Sequence, residues 1–338
     1  MGNESLARYK EKGVNMAYRL DKKMVIGVSS RALFDLTVEN EIFERQGLDA
    51  YCKYQMEHEQ DILKPGPGFG LVRSLLRLNE YSKERNLVEV VILSRNSPDT
   101  SLRIFNTIAY YGLNITRSVL ASGASLAPYL SAFRTDLFLS AYEDDVQSAI
   151  DSGIAAGIIC TRNTAQIIPI RPENVEDRSC VGSGAEDGKI RIAFDGDAVL
   201  FSEDSEVIYK EKGLVAFEEN ERKRAKEPMA EGPFANFLKK LSDLQRELGE
   251  NCPIRTALVT SRSAPAHERV IRTMRAWNVR VDEAFFLGGL EKKDFLKAFG
   301  AQIFFDDQAI HAQTAAESVP SARVPYGHCS VLRRYESS

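Results

Sequence analysis

The chain has 338 residues, of which 43% are hydrophobic and 27% charged, with a net charge of −4. That suits two domains of ordinary size with real cores, offers no basic block for a nucleic-acid polymer, and contains no apolar stretch near the roughly 18 residues of a membrane span. The five cysteines (Cys52, Cys160, Cys180, Cys252, Cys329) are odd in number and widely spaced, and the four histidines form no zinc pattern, so the expected setting is cytoplasmic with reduced thiols.

In chain order, residues 1–22 read as a polar leader without a signal-peptide core. The leader opens like a myristoylation signal but has Leu6 where Ser or Thr is required. A first unit over 23–170 begins with a strand at 24–28. The loop Gly66-Pro67-Gly68-Phe69-Gly70 lacks the Lys-Ser/Thr of a phosphate loop, and it opens a helix at 70–78. A strand at 88–93, a helix at 101–111 and strands at 119–121 and 137–139 follow. Residues 171–188, rich in Glu, Asp, Gly and Ser, have a linker composition.

The second unit, 189–330, begins with a strand at 191–194. A helix at 233–248 places Phe234, Phe237, Leu238, Leu241 and Leu244 on one face. Then come a strand at 256–260, a helix at 267–277, a strand at 283–287, a short helix at 292–299 and a strand at 303–305. Residues 331–338 are a tail. The excess between the first two strands, about 205–231, is expected to form a small cap over the second unit. Within it, Arg222-Lys223-Arg224-Ala225-Lys226 reads as a solvated face.

The two units repeat one another. At an offset of 166 residues, Ile42-Phe43 falls on Ile208-Tyr209, Gly47-Leu48 on Gly213-Leu214, Ala50-Tyr51 on Ala216-Phe217 and Gly66-Pro67 on Gly232-Pro233. Farther on, Ser94-Arg95-Asn96-Ser97-Pro98 is matched to Ser261-Arg262-Ser263-Ala264-Pro265, with the offset larger by one. Duplication of a unit of about 150 residues accounts for this. Short apolar strands alternating with helices predict an α/β fold: two tandem Rossmann-like units with mostly parallel sheets covered on both faces.

In such sheets, ligands bind beyond the carboxyl ends of the strands. There the second unit carries Asp195 and Asp197, then Thr260 and Ser261, then Asp306 and Asp307, with Lys292 at the start of a helix. Two carboxylates one residue apart repel, an arrangement that a divalent cation or a division of labour relieves. The set suits phosphoryl transfer. One carboxylate can attack phosphorus and a second can move the proton, while oxygen ligands hold magnesium. Thr260 and Lys292 can bind and neutralise phosphoryl oxygens.

The order Asp-x-Asp, strand-end Thr, Lys, strand-end Asp-Asp resembles the haloacid-dehalogenase (HAD) superfamily of phosphohydrolases. Within it, Ser29-Ser30-Arg31-Ala32-Leu33-Phe34-Asp35, Phe194-Asp195-Gly196-Asp197-Ala198-Val199-Leu200-Phe201-Ser202, Cys252-Pro253-Ile254-Arg255-Thr256 and Ile303-Phe304-Phe305-Asp306-Asp307-Gln308 resemble the cytosolic 5′-nucleotidase type I family. The resemblance covers roughly residues 24–327. It implies two HAD-like units and magnesium-dependent hydrolysis of nucleoside 5′-monophosphates, AMP prominent among them. It makes Asp195 the nucleophile and Asp197 the general acid/base, and it has Thr260 and Lys292 hold the phosphate. Asp307, with Asp306 beside it, completes a metal site shared with Asp195 and Asp197.

Ser261, Arg262 and Phe217 are the substrate-side candidates. Arg262 either touches phosphate or caps structure, and Phe217 either stacks on a base or fills a core. The first unit lacks the chemistry, since Ser29, Arg31, Leu93, Leu126, Ser140 and Ala141 are read opposite Asp195, Asp197, Thr260, Lys292, Asp306 and Asp307. It is expected to pack against the second unit and shape its pocket, or to bind an anion such as a nucleotide effector at Ser29, Ser30 and Arg31. Homo-oligomerisation is left open. The rival readings are a phosphatase for another small phosphomonoester, such as a sugar phosphate, and a non-hydrolytic nucleotide sensor.

Overall fold

The computed structural model describes residues 19–160 and 188–336. Most of the expected leader, and all but the last residue of the expected linker, lie outside the described residues. Among those residues, ten strands make one continuous sheet: β1 (Met24–Val28), β2 (Val88–Ser94), β3 (Arg117–Leu120), β4 (Leu137–Ser140), β5 (Ala155–Ile159), β6 (Ile190–Phe194), β7 (Ile254–Thr260), β8 (Glu283–Phe286), β9 (Ile303–Asp306) and β10 (Ser321–Arg323). Their order is β3-β2-β1-β4-β5-β10-β9-β6-β7-β8. The inner strands are short, rich in Val, Ile, Leu and Phe, and buried along their length, as strands covered on both faces must be.

Each half runs 3-2-1-4-5, and the halves join edge to edge between β5 and β10. That junction is antiparallel, whereas neighbours within each half are parallel. The carboxyl ends of the two sets of strands therefore leave opposite edges of the sheet. Neither β5 nor β10 was expected from the sequence, and the sheet they create is a single one rather than two.

The repeat is stricter than the sequence alone suggests. Every strand of the second half begins 166 residues after its counterpart. Met24 pairs with Val88 just as Ile190 pairs with Ile254, so β2 and β7 keep the same offset. This corrects one match: Ser94, not Leu93, is the counterpart of Thr260, and Asn96, not Arg95, is the counterpart of Arg262. A slip of one residue would turn every side chain to the other face. The local hydrogen bonds agree, because Asn96 N donates to Ser94 Oγ (3.1 Å) as Arg262 N donates to Thr260 Oγ1 (3.2 Å).

A helical hairpin is also shared. The helix Asp204–Lys223 is broken at Gly213 (φ 80°) into a hairpin. In the first half, Thr37–Gln46 and Leu48–Glu57 flank Gly47 (φ 85°) in the same way. The excess between the first two strands forms a helical hairpin in both halves, and both turns use a glycine because the backbone enters the left-handed half of φ space.

One face of the sheet is a single apolar core running through both halves, from Ile26 and Leu71 to Ile192, Phe237 and Phe305. The opposite face has two separate cores, one around Phe138 and Leu130 and one around Phe304 and Leu296. The halves share one face, as expected for a packing partner.

Gly66 and Gly232 hold equivalent places where a loop returns against the turn after the first strand. A Cβ on Gly232 would press on the carbonyl oxygens of Phe201 and Val199, the latter at 2.5 Å. Since neither backbone atom can yield cheaply, Gly232→Ala is expected to destabilise the protein by about 1–3 kcal/mol. Urea unfolding measures this; an unchanged midpoint would contradict the close packing described.

Candidate active site

At one edge of the sheet the ends of β6, β7 and β9 converge. Asp195 follows β6, and its N–H donates to the Phe305 carbonyl on β9 (2.8 Å). Behind it, Phe194 stacks on Phe305 with ring centroids 5.7 Å apart, which locks the two strands that carry the acids. Asp306 closes β9 and Asp307 comes next. Lys292, at the N-terminus of the helix Lys293–Phe299, reaches Asp195 Oδ1 (2.8 Å) and Asp306 Oδ2 (2.7 Å).

The carboxylates of Asp195, Asp306 and Asp307 each offer an oxygen within 4.8 Å of the others, and all three are buried. Their environments differ. Burial pushes the Asp195 carboxyl up to about 6, with the charge on Asp306 adding to the effect and Lys292 opposing it. Burial also opposes ionisation of Asp306, but Lys292 and His311 outweigh it and hold this carboxyl low. Its oxygens accept from Lys292 and from Gln308 N (2.9 Å).

Asp307 is pushed well above the usual carboxylate range by burial and by the negative charges of Asp306 and Asp195. It accepts a hydrogen bond from the Tyr326 hydroxyl (2.5 Å). Lys292 pairs with two of these buried acids, and Asp307 has no ion pair among the described residues. An all-oxygen donor set with surplus negative charge fits a hard divalent cation.

Asp197 lies outside that carboxylate group. Arg262 grips it with both arms of a fork, Nε to Oδ2 (2.7 Å) and Nη2 to Oδ1 (2.6 Å). The remaining Arg262 nitrogen, Nη1, donates to Glu221 Oε2 (2.5 Å) on the cap helix. Glu221 is fully buried and also accepts from Arg269 Nη1 (2.8 Å) and Ser205 Oγ (2.9 Å). The Phe217 ring is only 8% exposed, under the Arg262 guanidinium at 5.1 Å. Thr260 is buried, with its Oγ1 turned back to the Arg262 N–H, whereas Ser261 is exposed. The turn between Asp195 and Phe201 is strained at Ala198 (φ 57°), which packs under Tyr326 and Leu332.

The structure therefore brings Asp195, Lys292, Asp306 and Asp307 together. A second group, Asp197 with Arg262 and Phe217, stands beside them under the cap. Sequence reasoning missed Glu221, Arg269 and Tyr326. Glu221 was hidden in the charged run from Glu218 to Arg224, and the signal that could have found it was its offset partner, Gln55. In the first half, the residues corresponding to the site satisfy one another. Ser29 accepts from Ala32 N, the Ser30 and Ser94 hydroxyls lie 3.1 Å apart, and Arg31 donates to Asn40 (2.8 Å) and covers the Tyr142 ring.

A model of a family described as 5′-nucleotidase matches residues 16–330. Human cytosolic 5′-nucleotidase 1B is 37% identical over 303 residues, covering 86% of this chain and 47% of that protein, so the chain spans about half the length of this curated relative. A solved structure titled "Structure of Pnkp1/Rnl/Hen1 complex" aligns over 93% of this chain and 100% of its own, at 12% identity and a TM-score of 0.31. A similarity that low carries no argument.

The buried cluster around Glu221 has a stability consequence. Burial alone would raise the Glu221 carboxyl, but Arg262 and Arg269 outweigh it and hold it below its usual range. Glu221→Ala strands two buried guanidinium groups and is expected to cost about 3–5 kcal/mol at neutral pH. Because the folded carboxyl is depressed, its contribution is complete above the ordinary value near 4.3 and is lost as pH falls through the depressed one. Urea unfolding of both proteins should show a gap at pH 7 that narrows by about pH 3.5. An equal gap at both would contradict the ion cluster.

Proposed function

Because the chain belongs to the 5′-nucleotidase family, we propose that it hydrolyses nucleoside 5′-monophosphates, AMP prominent among them, to nucleoside and phosphate through a phosphoryl group carried on Asp195. The observation that carries this reading is the convergence of three buried carboxylates and Lys292 at the strand ends. The cytosolic setting named for the human relative goes with the same reading.

Asp195 supplies the attacking oxygen. Its carboxylate bonds to phosphorus as the bond from phosphorus to the ribose 5′-oxygen breaks, and Asp197 gives that oxygen its proton. Water then attacks the phosphoryl group, Asp197 takes the water's proton, and the bond to Asp195 breaks to release phosphate. The Lys292 ammonium, fixed between Asp195 and Asp306, faces the charge that builds on the phosphoryl oxygens, and Thr260 is the hydroxyl assigned to one of them.

Magnesium is the cation we assign to Asp195, Asp306 and Asp307, with Asp307 as the direct ligand because Lys292 already pairs with Asp306 and no cation among the described residues pairs with Asp307. When bound, magnesium supplies positive charge against the phosphate. The Asp197 carboxylate faces Arg262 and lies outside the group of three acids, so its main-chain carbonyl is the donor we assign from this residue to the cation. With all three of its nitrogens engaged, Arg262 is assigned to Asp197 rather than to the substrate. Phe217, buried against that guanidinium, is assigned to the cap's core rather than to a base. Exposed Ser261 stays on the substrate side.

A panel of nucleoside 5′- and 3′-monophosphates and sugar phosphates, assayed for released phosphate with magnesium or with chelator, tests the proposal. Magnesium-dependent release from 5′-monophosphates is expected, and Asp195→Asn should abolish it. Preference for a sugar phosphate would favour the broader phosphatase, and no release from any compound would favour a nucleotide sensor.

A further inference from the structure

The first half of the sheet is a chemically silent copy of the second at a constant offset, so it shows which features the fold itself requires. Applied to the neighbours of Asp197, the comparison is selective. The counterpart of Asp197 is Arg31, that of Arg262 is Asn96, and that of Glu221 is Gln55. All three charges of the chain Asp197–Arg262–Glu221 are missing together. Arg269, at the far end, keeps its counterpart Arg103, which finds a different buried acid, Glu39 (2.5 Å), at the place of Ser205. The helical hairpin, its glycine turn and the buried arginine thus persist without the forked ion pair. Packing the hairpin does not need Arg262 or Glu221.

We infer that Arg262 is a positioning residue: braced by Glu221 on the cap helix, it fixes the Asp197 carboxylate for proton transfer, so the proton shuttle is aligned only when the hairpin is seated. The inference rests on the role proposed above for Asp197. A fork of two parallel N–H bonds sets both the position and the plane of a carboxylate, which a single contact does not. It uses one lone pair on each oxygen, and a carboxylate has about four such sites, so a site remains to carry the proton given to the leaving group and then to accept one from water. Glu221 holds the third guanidinium nitrogen, and its own second oxygen is anchored by Arg269 and Ser205. The guanidinium is 2% exposed on one side of the pair and Asp197 13% on the other. The brace is therefore dry, and the acid meets the open side of the site.

Two substrates that differ only in the bridging atom test this. AMP must protonate its departing ribose oxygen, whereas the analogue with sulfur at that position releases a thiolate that needs no proton. Arg262→Lys keeps the charge but loses the fork. A quadruple variant, Ser205→Glu with Phe217→Tyr, Glu221→Gln and Arg262→Asn, transplants the set that the first half already accommodates, including the Tyr51 hydroxyl to which Gln55 donates (3.0 Å), which guards against simple misfolding. Both are expected to cleave AMP about 100-fold more slowly, as loss of general acid catalysis implies. Both should still release one equivalent of thiol per enzyme from the sulfur analogue in a first-turnover burst, followed by slow turnover, and Asp197→Asn measured alongside should show the same split.

If Asp197→Asn shows the split while the Arg262 variants keep the wild-type AMP rate, the positioning role is wrong and the proposed function stands. The same holds if the Arg262 variants lose both substrates in proportion with no burst. If Asp197→Asn itself hydrolyses AMP at the wild-type rate, the proton-shuttle reading fails and this inference fails with it.

Discussion

Three carboxylic acids buried around one ammonium are the constraint on which the site depends. Taking a carboxylate out of water costs several kcal/mol even after the protein relaxes, and Lys292 can offset only part of that for Asp195 and Asp306. The fold has no need of the arrangement. Its other half builds the same strand ends from Ser29, Ser140, Ala141 and Leu126, neutral groups that bury easily. The charges are thus a standing cost to stability, concentrated where a cation would relieve it, as sites built for chemistry tend to be.

The antiparallel seam between β5 and β10 decides what the first half can contribute. Because it turns the two sets of strand ends to opposite edges, the loops of the first half that correspond to those after β6, β7 and β9 lie away from the buried acids. The first half packs against the second. It shares a continuous apolar face with the second half, and from its helix Glu143–Asp151 the Gln147 amide holds the main-chain carbonyl of Tyr326 (3.0 Å). The Tyr326 hydroxyl in turn touches Asp307, the acid without an ion pair among the described residues. A residue across the seam therefore steadies the edge that carries the buried acids from behind.

Much of this was legible in the sequence, for definable reasons. The strands β1, β2, β4, β6, β7 and β9 are short apolar runs between turn residues. The helix Ala235–Leu248 announces itself by the spacing of Phe237, Leu238, Leu241 and Leu244. The acids, Lys292 and Thr260 were legible because each stands at the end of such a strand or the start of a helix. What escaped carried weaker patterns. The strand β10 is Ser-Ala-Arg, three residues with no apolar alternation, and β5 contains a glycine, so neither the seam nor the single sheet could be foreseen. The ion chain through Glu221 escaped because its members lie far apart in the chain, and a buried glutamate in a charged run looks like any solvated one. The one-residue error at Ser94 arose where Ser-Arg recurs by coincidence of composition, and only ladder pairing fixes the register.

The most direct measurement is a crystal structure of the protein soaked with magnesium and beryllium fluoride, a mimic of a phosphoryl group on a carboxylate. The account predicts the fluoride adduct on Asp195 Oδ, a cation bridging it to Asp307, and Lys292 against the adduct. A cation bound away from Asp195 and Asp307, or an adduct on any other side chain, would contradict it.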